Sequence, residues 1–253
     1  MKKQFLIFAT LTTIVFMSCS KEQIEELQTD QPEESATAMN NTSQQRGGSL
    51  INTVDRDLLA RFEFDGNLKD MTGKVPAGTP RFGRPVYTSD RKGKKNSAIR
   101  FDETYGVDLW DVPLDTNMSI SFWMKYDITP TIVSIPVVEG SHTFSFLHRE
   151  NNRFQCGYWD FYNPSTILSR PLFNGWHHMA ATRDNKTFKF YIDGVLVNTV
   201  ALITGGPSGK TYSEYVIGYG MNAGYRMWKG DIDDLRIYKK VMAATEISTL
   251  TNL

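Results

Sequence analysis

Apolar and polar side chains alternate through Gly175–Val200, on both sides of an Asp193-Gly194 pair. Phe188 and Ile192 belong to the apolar set before the pair, and Val195 begins a second run after it. Asp-Gly is typical of a two-residue type I′ turn, because both central residues of that turn have positive φ. A period of two with one apolar face indicates an antiparallel sheet that covers a core on one side. The segment therefore predicts a hairpin within an all-β domain.

Short runs with the same period recur along the chain. The other predicted strands are Leu58–Phe64, Ser97–Phe101, Met118–Lys125, Ile132–Val138, His142–His148, Phe154–Tyr158, Trp176–Arg183, Tyr215–Tyr219 and Gly230–Tyr238. Met71–Pro85 is rich in Gly and Pro and predicts a loop, Tyr105–Val112 predicts a loop or edge strand, and Ala243–Leu250 predicts one or two helical turns. About a dozen short strands with almost no helix indicate a sandwich or a barrel.

Four segments, taken in chain order, resemble the laminin-G-like, concanavalin A-like lectin/glucanase family of bacterial secreted and surface proteins. They are LLARFEFDGNLKDMTG, SISFWMKYD, GWHHMAATRDNKTFKFYIDGVLV and GDIDDLRIYKKVMAATEISTL. The resemblance covers Leu58–Leu250 and implies an all-β jelly-roll sandwich of two antiparallel sheets, with ligands met on the concave face or its rim loops. It does not imply one activity, because this scaffold carries lectins, hydrolases, lyases and interaction modules.

Residues 1–18 have the layout of a secretory signal peptide, in which Lys2 and Lys3 precede an apolar run from Phe5 to Met17. That run is shorter than the ~20 residues that a membrane-spanning helix needs. The FMSC segment resembles a bacterial lipoprotein signal, which implies that Cys19 is lipidated and begins the mature protein. An ordinary signal peptide with an incidental cysteine is the alternative.

Residues 19–56 are polar and acidic with few apolar side chains, and this composition predicts a disordered tether. Such a tether has a reach on the order of 30 Å and holds the domain, predicted at residues 57–253, away from the membrane. Ser20-Lys21-Glu22 also resembles the surface-export signal of Bacteroides-type lipoproteins. We therefore predict an outer membrane lipoprotein, anchored through its lipid, with exposure at the cell surface favoured.

The charge balance excludes a general attraction to nucleic acid. The chain has 28 basic and 28 acidic residues, and removal of Lys2 and Lys3 with the signal peptide leaves 26 against 28. Nucleic-acid binding normally requires an excess of basic side chains that face the phosphates. The basic run Arg91–Lys95 contains a glycine and no aromatic residue, so we interpret it as a solvated turn.

No motif predicts catalysis. Retaining glycoside hydrolases need two carboxylates roughly 5–5.5 Å apart. Asp231 and Asp233 share a strand face, but they lie in the last strand, where the resemblance implies a structural role. His177 and His178 are adjacent on a strand and point to opposite faces, so they do not chelate one metal ion. No motif joins a Tyr or His base to an Arg, as a lyase requires, and we predict no catalytic residues.

Two clusters combine flat aromatic rings with hydrogen-bonding side chains, which is the chemistry that sugar binding needs. Gly157–Asn163 lacks the alternation of buried strands, and this pattern predicts an exposed contact surface; packing under a long loop is the alternative. The GYGMNAGYRMW segment provides the second cluster. The predicted ligand-binding residues are Tyr158, Trp159, Phe161, Tyr162, Tyr219, Asn222 and Tyr225. The resemblance instead implies that Trp123, Trp176 and Trp228 are core residues, and it assigns no role to Trp110.

A structural calcium ion is the only cofactor that the sequence suggests. First and last strands are commonly neighbours in this family, which would bring Asp65, Asn67 and Asp70 close to Asp233, and hard oxygen ligands suit Ca²⁺. The alternative is a carboxylate-capped turn with ion pairs among Arg61, Glu63, Asp234 and Arg236.

The favoured interpretation is a non-catalytic surface lipoprotein that binds carbohydrate or polysaccharide. Two alternatives remain open from the sequence. One is a protein-interaction or adhesion module of an envelope complex, and the other is a divergent glycan hydrolase or lyase. Side chains on the concave sheet face distinguish these classes, because each class needs different groups there.

Overall fold

A computed structural model describes residues 54–127, 134–158, 165–202, 209–221 and 226–253. The predicted signal peptide, Cys19 and the tether up to residue 53 lie outside these ranges and stay predictions. The tether was predicted to extend to residue 56, but Val54 is buried in an apolar cluster and Asp55 pairs with Arg236, so these residues belong to the folded domain. No helix in the described ranges is long and apolar enough to cross a membrane.

The described residues form fifteen β-strands, one 3-10 turn at Glu150–Asn152 and one α-helix. In chain order they are β1 (Leu58–Phe62), β2 (Thr79–Arg81), β3 (Val86–Thr88), β4 (Ala98–Asp102), β5 (Gly106–Pro113), β6 (Met118–Tyr126), β7 (Ser134–Gly140), β8 (Phe144–Arg149), β9 (Arg153–Tyr158), β10 (Ser165–Leu168), β11 (His177–Arg183), β12 (Thr187–Ile192), β13 (Val195–Ala201), β14 (Tyr212–Ile217), β15 (Lys229–Tyr238) and α1 (Ala244–Leu250).

The strands form two antiparallel sheets that pack as a sandwich, which confirms the predicted all-β jelly-roll class. Sheet A has the order β13-β12-β11-β6-β15-β4-β3, with β1 also paired to β15. Sheet B has the order β10-β9-β8-β7-β14-β5-β2. The first and last strands are neighbours, as the family resemblance implied, with Phe62 opposite Leu235.

The space between the sheets is filled by inward-facing apolar side chains. On β6 the fully buried residues are Ile120, Phe122 and Met124, which alternate with outward-facing neighbours. Phe122 meets Phe146 of sheet B edge to face, with ring centroids 4.8 Å apart. Burial of each such side chain contributes about 1.5–3 kcal/mol, so this interlayer core is the main source of stability. Cys156 is a free, buried thiol within it.

The Asp193-Gly194 hairpin forms as predicted between β12 and β13. Asp193 has φ 51° and Gly194 has φ 77°, and positive φ at both central residues is the requirement of a type I′ turn. The Asp193 carboxylate accepts a hydrogen bond from the His178 main chain (2.8 Å) and contacts the His177 ring at 2.8 Å. The turn is thereby tied to β11, and the two histidines serve this scaffold.

Two predicted loops are strands in the structure. β2 lies inside the Gly- and Pro-rich segment Met71–Pro85 and forms one edge of sheet B. An edge strand has a neighbour on one side only, so it tolerates Pro80, which has no N–H to donate. Tyr105–Val112, predicted as a loop or edge, contains most of β5, which has neighbours on both sides. The second of these strands positions the candidate site.

Helix α1 lies against the outer face of sheet A, in agreement with the predicted helical turns. Its buried residues Ile247 and Leu250 join a second apolar cluster with Ala180, Tyr191 and Tyr238. The helix covers only part of this face. The uncovered part carries half-buried tryptophans and charged side chains.

Candidate functional site

A row of side chains on the outer face of sheet B forms the floor of a cleft. In the strand register, Val216 of β14 lies opposite Asp108 of β5 on one side and Glu139 of β7 on the other. Neighbouring strands are spaced ~4.8 Å apart, so the Asp108 and Glu139 Cα atoms are ~10 Å apart. Because these residues share a face, both carboxyl groups stand on the solvent side of the sheet.

Aromatic and charged side chains wall this cleft, which we call the sheet B cleft. Its volume is about 640 Å³, within the usual range of small-molecule sites. Trp110 lies two residues after Asp108 on the same face of β5 and is 36% exposed. The side chains that give the cleft its chemical character are Arg81, Phe82, Asp108, Trp110, Glu214 and Tyr219.

Asp108 is the best-anchored polar group in the cleft. It is 3% exposed, accepts a hydrogen bond from the Tyr219 hydroxyl and pairs with Arg81 Nε at 3.2 Å. Burial and the neighbouring Asp108 carboxylate raise the pKa of Tyr219 well above its ordinary value, so the phenol stays protonated and donates. Phe82 meets the Tyr219 ring edge to face at 5.4 Å. The network holds an arginine and two aromatic rings in fixed positions.

Glu139 lies beside the cleft and is bonded to one of its lining residues, Met221. Its carboxylate accepts a hydrogen bond from the main-chain nitrogen of Met221 (2.9 Å), which fixes the segment after β14. Burial raises the pKa of Glu139, partly offset by that hydrogen bond. The group therefore contributes a weakly acidic carboxyl beside the cleft.

Tyr219 is thus the one predicted ligand-binding residue that the structure places at the cleft. Only 7% of its surface is exposed, so it supports the wall more than it contacts solvent. Asn222 and Tyr225, predicted with it, lie outside the described residues and stay predictions.

Tyr158, predicted to begin an exposed aromatic cluster, is buried, and we withdraw it as a ligand contact. It is 3% exposed and its hydroxyl donates to the main-chain oxygen of His142 (3.1 Å). The reason is strand phase, since Tyr158 continues the inward-facing row of Phe154 and Cys156 along β9. The remaining cluster residues, whose assignment stays a prediction, lie outside the described residues: Trp159, Phe161 and Tyr162.

Each of the four residues predicted to bind calcium has a partner within the protein. Asp70 accepts hydrogen bonds from the Arg61 and Val75 main chains (2.8 and 3.1 Å), and Asp65 pairs with Lys94 at 2.5 Å. The other two predicted ligands, Asn67 and Asp233, bond Lys69 and Arg91. Within the described ranges, no group of three or more His, Cys, Asp or Glu side chains is placed to hold a metal ion. The geometry matches the alternative of capped turns and ion pairs.

The ion pairs of that alternative are present. Arg61 contacts Glu63 at 2.9 Å and Asp234 at 3.3 Å, and Arg236 contacts Asp234 at 2.9 Å. A bulge in β15, with Asp234 at φ 47°, lies where Asp234 meets these arginines and where Asp233 meets Arg91. Burial alone would raise the pKa of Asp234, but the arginines outweigh it and hold that pKa below its ordinary value. The ionised Asp234 carboxylate therefore stabilises the fold.

Sequence reasoning missed Arg81, Phe82, Asp108 and Trp110. The signal for two of them was present, because Asp108 and Trp110 alternate with the apolar Val107 and Leu109 and so share the outer face of a strand. Arg81 and Phe82 carry no such signal, since they belong to a three-residue edge strand and the residue after it.

Comparison with known proteins agrees with this architecture. Residues 101–248 match the family model of the concanavalin A-like lectin/glucanases superfamily. No curated protein matches the sequence.

Solved structures share the fold at low sequence identity. One is domain 4 of AbnA, a GH43 extracellular arabinanase from Geobacillus stearothermophilus, in complex with arabinotriose; identity is 22%, coverage is 77% of this chain and 98% of that chain, and the TM-score is 0.65. Another is botulinum neurotoxin type C, whose cell entry depends on two ganglioside molecules, with 13% identity, coverage of 80% and 52%, and a TM-score of 0.64. This chain therefore spans about half of the neurotoxin chain. At these identities the likeness shows the fold alone.

Proposed function

Since the chain belongs to the concanavalin A-like lectin/glucanase superfamily, we propose that it is a non-catalytic protein that binds carbohydrate in the sheet B cleft. The observation that carries the proposal is the partly exposed Trp110 ring beside the anchored Arg81–Asp108–Tyr219 network. Such a cleft pairs an aromatic face with fixed polar groups.

The cleft has the two chemical features that a saccharide needs. The C–H face of a sugar ring packs on a flat aromatic surface, which Trp110 and Phe82 provide. Hydroxyl groups then meet donors and acceptors, which Arg81 and Glu214 provide at the rim. A few convergent polar groups on an apolar surface fix the orientation of a ligand.

The ligands of the structural neighbours support the same class. The arabinanase domain holds arabinotriose, and the neurotoxin depends on gangliosides, which carry sugar headgroups. Arabinotriose is a saccharide and a ganglioside bears one, although the two neighbouring structures share only the fold with this protein.

The proposed setting is the surface of a bacterial outer membrane. The lipoprotein-like start, Cys19 and the polar stretch to residue 53 support a lipidated protein that presents its domain on a tether. A domain held in this way would retain polysaccharide near the cell.

The carboxylates support binding over hydrolysis. Asp108 is held by Arg81 and Tyr219, while Glu139 lies about two strand spacings away and holds the Met221 main chain. Asp231, considered from the sequence, is fully buried between Arg100 and Lys125. Each of these carboxylates is already engaged by protein groups, whereas a retaining glycosidase needs two carboxylates that are free to act on the substrate.

The weakly acidic Glu139 gives the hydrolase alternative its one specific observation. A carboxyl with a raised pKa resembles a general acid, and ~10 Å between Cα atoms is compatible with an inverting pair. Release of reducing ends from a bound polysaccharide, lost in Glu139→Gln, would replace the binding proposal with this alternative.

The proposal is tested by a glycan array followed by titration calorimetry with a hit, comparing the wild type with Trp110→Ala. We expect a loss of affinity of about 5- to 30-fold, corresponding to about 1–2 kcal/mol for one aromatic contact. Phe173→Ala is the matched control, because Phe173 is 89% exposed outside the cleft. Its affinity should equal that of the wild type.

Two results would count against the proposal. One is an array without hits, and the other is binding that Trp110→Ala leaves unchanged. Recovery of a stable protein partner in a pull-down without glycan, together with an empty array, would favour the adhesion alternative.

A further inference from the structure

The outer face of sheet A, on the opposite side of the sandwich from the sheet B cleft, carries a second set of tryptophans. The register places Trp123 of β6 between His178 of β11 and Asp233 of β15. The next outward position on β6 is Lys125, which lies beside Trp176 just before β11 and opposite Asp231. The indole rings of Trp123 and Trp176 therefore lie diagonally to each other on the outer face of sheet A.

These two tryptophans are not core residues, contrary to the expectation from the family resemblance. Trp228 is 1% exposed and does belong to the core, whereas Trp123 and Trp176 are half-buried and lie outside both apolar clusters. Strand phase explains the difference for Trp123, because its neighbours Phe122 and Met124 point inwards.

A groove of about 290 Å³ runs between the two indoles. Its other walls are Arg91 and Lys92, from the turn before β4, and residues 251–253, which follow helix α1. Lys92 Nζ contacts the main-chain oxygen of Leu253, so the two walls are joined. The groove is open at the point where helix α1 stops covering the sheet.

Two cations at or beside the groove, Arg91 and Lys125, are paired with acids. Arg91 pairs with Asp233 and lies over the Trp123 ring, with its guanidinium carbon 4.8 Å from the ring centroid. Lys125 pairs with Asp231 at 2.8 Å, and its Nζ lies 5.5 Å from the Trp176 ring centroid. Lys92, which contacts a main-chain oxygen, is the remaining cation at the groove, and both the aromatic surface and N–H donors remain.

We propose that this groove is a second carbohydrate site, and that it takes a neutral saccharide. A sugar ring fits against Trp176, with its hydroxyl groups within reach of donors from Arg91, Lys92 and Asn252 on the groove walls. An anionic sugar is disfavoured, because the carboxyl groups of Asp231 and Asp233 lie against Lys125 and Arg91 and leave only Lys92 to meet a negative charge. The site shares its ligand class with the sheet B cleft but none of its residues.

Two sites on opposite faces have a consequence for polysaccharide binding. One short oligosaccharide does not reach both faces of a sandwich, so each site binds a separate segment or chain. Binding of a long polymer then gains from effective concentration, and loss of either site lowers retention without abolishing it.

The test uses native affinity electrophoresis of the folded protein in gels that contain a neutral polymer: a β-glucan, a xylan, an arabinan or a galactomannan. The variants are Trp176→Ala, Lys92→Met, Trp110→Ala and the double Trp110→Ala/Trp176→Ala, with Phe173→Ala as control. On at least one polymer we expect each single tryptophan variant to lose part of the wild-type retardation and the double variant to lose nearly all of it. Titration with an oligosaccharide of that polymer should show two binding events in the wild type and one in each single variant.

The outcomes separate this inference from the proposed function. If Trp176→Ala and Lys92→Met migrate as the wild type on every polymer that Trp110→Ala affects, the second site is refuted and the cleft stands. If Trp176→Ala weakens binding and Trp110→Ala does not, the groove stands and the cleft assignment fails. Retardation only by uronate or sulfated polymers would contradict the neutral ligand class. Trp176→Phe, which keeps a ring, should retain part of the binding if the loss in Trp176→Ala is not one of folding.

Discussion

His148 is one of two buried histidines, with His178, whose lowered pKa makes stability depend on pH. Its Nδ1 accepts a hydrogen bond from Trp228 Nε1 (3.3 Å), and its ring stacks on Phe154 with centroids 4.4 Å apart. Burial lowers the pKa of His148 from 6.5 to about 4. Between those pH values the unfolded chain binds more protons than the folded one. The contribution of His148 to stability is therefore complete above pH ~6.5 and is lost as the pH falls towards about 4.

We predict that His148→Phe flattens this dependence. The variant cannot take up the proton, so its loss of unfolding free energy between pH 7 and pH 4.5 should be smaller than that of the wild type by about 2–3 kcal/mol. At pH 7 it should itself be less stable by about 1–3 kcal/mol, since Trp228 loses its acceptor. Urea denaturation at several pH values measures both effects.

His177→Gln is the contrasting control. The hydrogen bond that the His177 ring donates to the Asp193 carboxylate raises the pKa of His177. Its contribution to stability is therefore fully present below pH ~6.5 and is lost as the pH rises through the folded pKa. Removal of this ring should flatten the profile above pH ~6.5 and leave the acid loss caused by His148 in place. Equal pH profiles for the wild type and His148→Phe would contradict the account of the buried ring.

Strand phase decided which tryptophans and tyrosines face outwards, and much of that phase is readable from the sequence. Trp123 follows Phe122 and precedes Met124, so its outward direction could be predicted, and Trp110 has the same relation to Leu109. The prediction that Tyr158 is exposed depends on the aromatic residues that follow it. Its position two and four residues after Cys156 and Phe154 on β9 indicates instead that its side chain faces the core. Which outward rings line a cleft depends on distant segments, such as residues 251–253, and no local pattern contains that information.

At the scale of elements, Gly218 fixes the exit of β14 below the sheet B cleft. It has φ +79°, and a Cβ at this position would overlap the Phe101 ring. Its N–H donates to Val137 and its oxygen accepts from Trp228, at 2.9 and 2.8 Å. The conformation and the packing both require glycine here.

We predict that Gly218→Ala lowers the free energy of unfolding by about 2–4 kcal/mol, because left-handed backbone strain adds to overpacking against a buried ring. Gly73→Ala is the matched control, since Gly73 has φ +68° and a Cβ at that position would meet no neighbouring atom within 4 Å. It should cost only about 1 kcal/mol. Equal losses in the two variants, measured by chemical denaturation, would show that the Phe101 contact contributes nothing.

Element prediction succeeded where periodicity was long and failed where strands were short. The hairpin of β12 and β13 has an alternating pattern and a turn dipeptide that agree, so it could be located closely. The three-residue β2 and the four-residue β10 lie at the edges of sheet B, where length is too small to show a period. These edge strands form because they hydrogen-bond to the adjacent strands β5 and β9.

For the molecule as a whole, the sequence predicted the sandwich but not the location of its functional surfaces. Alternation specifies that two sheets enclose a core, and the family match confirms the class. The sheet B cleft and the groove of sheet A arise from residues far apart in the chain, such as Arg81 with Tyr219 and Arg91 with Trp176. Carbohydrate binding on two opposite faces, as proposed above, would thus be a property of the assembled fold.

Fluorine NMR of protein labelled with 5-fluorotryptophan tests this central claim most directly. The chain has 5 tryptophans, and substitution of each by phenylalanine assigns the resonances. On titration with a polysaccharide that the protein retains, we predict shifts of the Trp110 and Trp176 signals, while buried Trp228 stays unchanged. Binding that leaves the Trp110 signal in place, or the lack of any shift with every glycan tested, would contradict the proposed function.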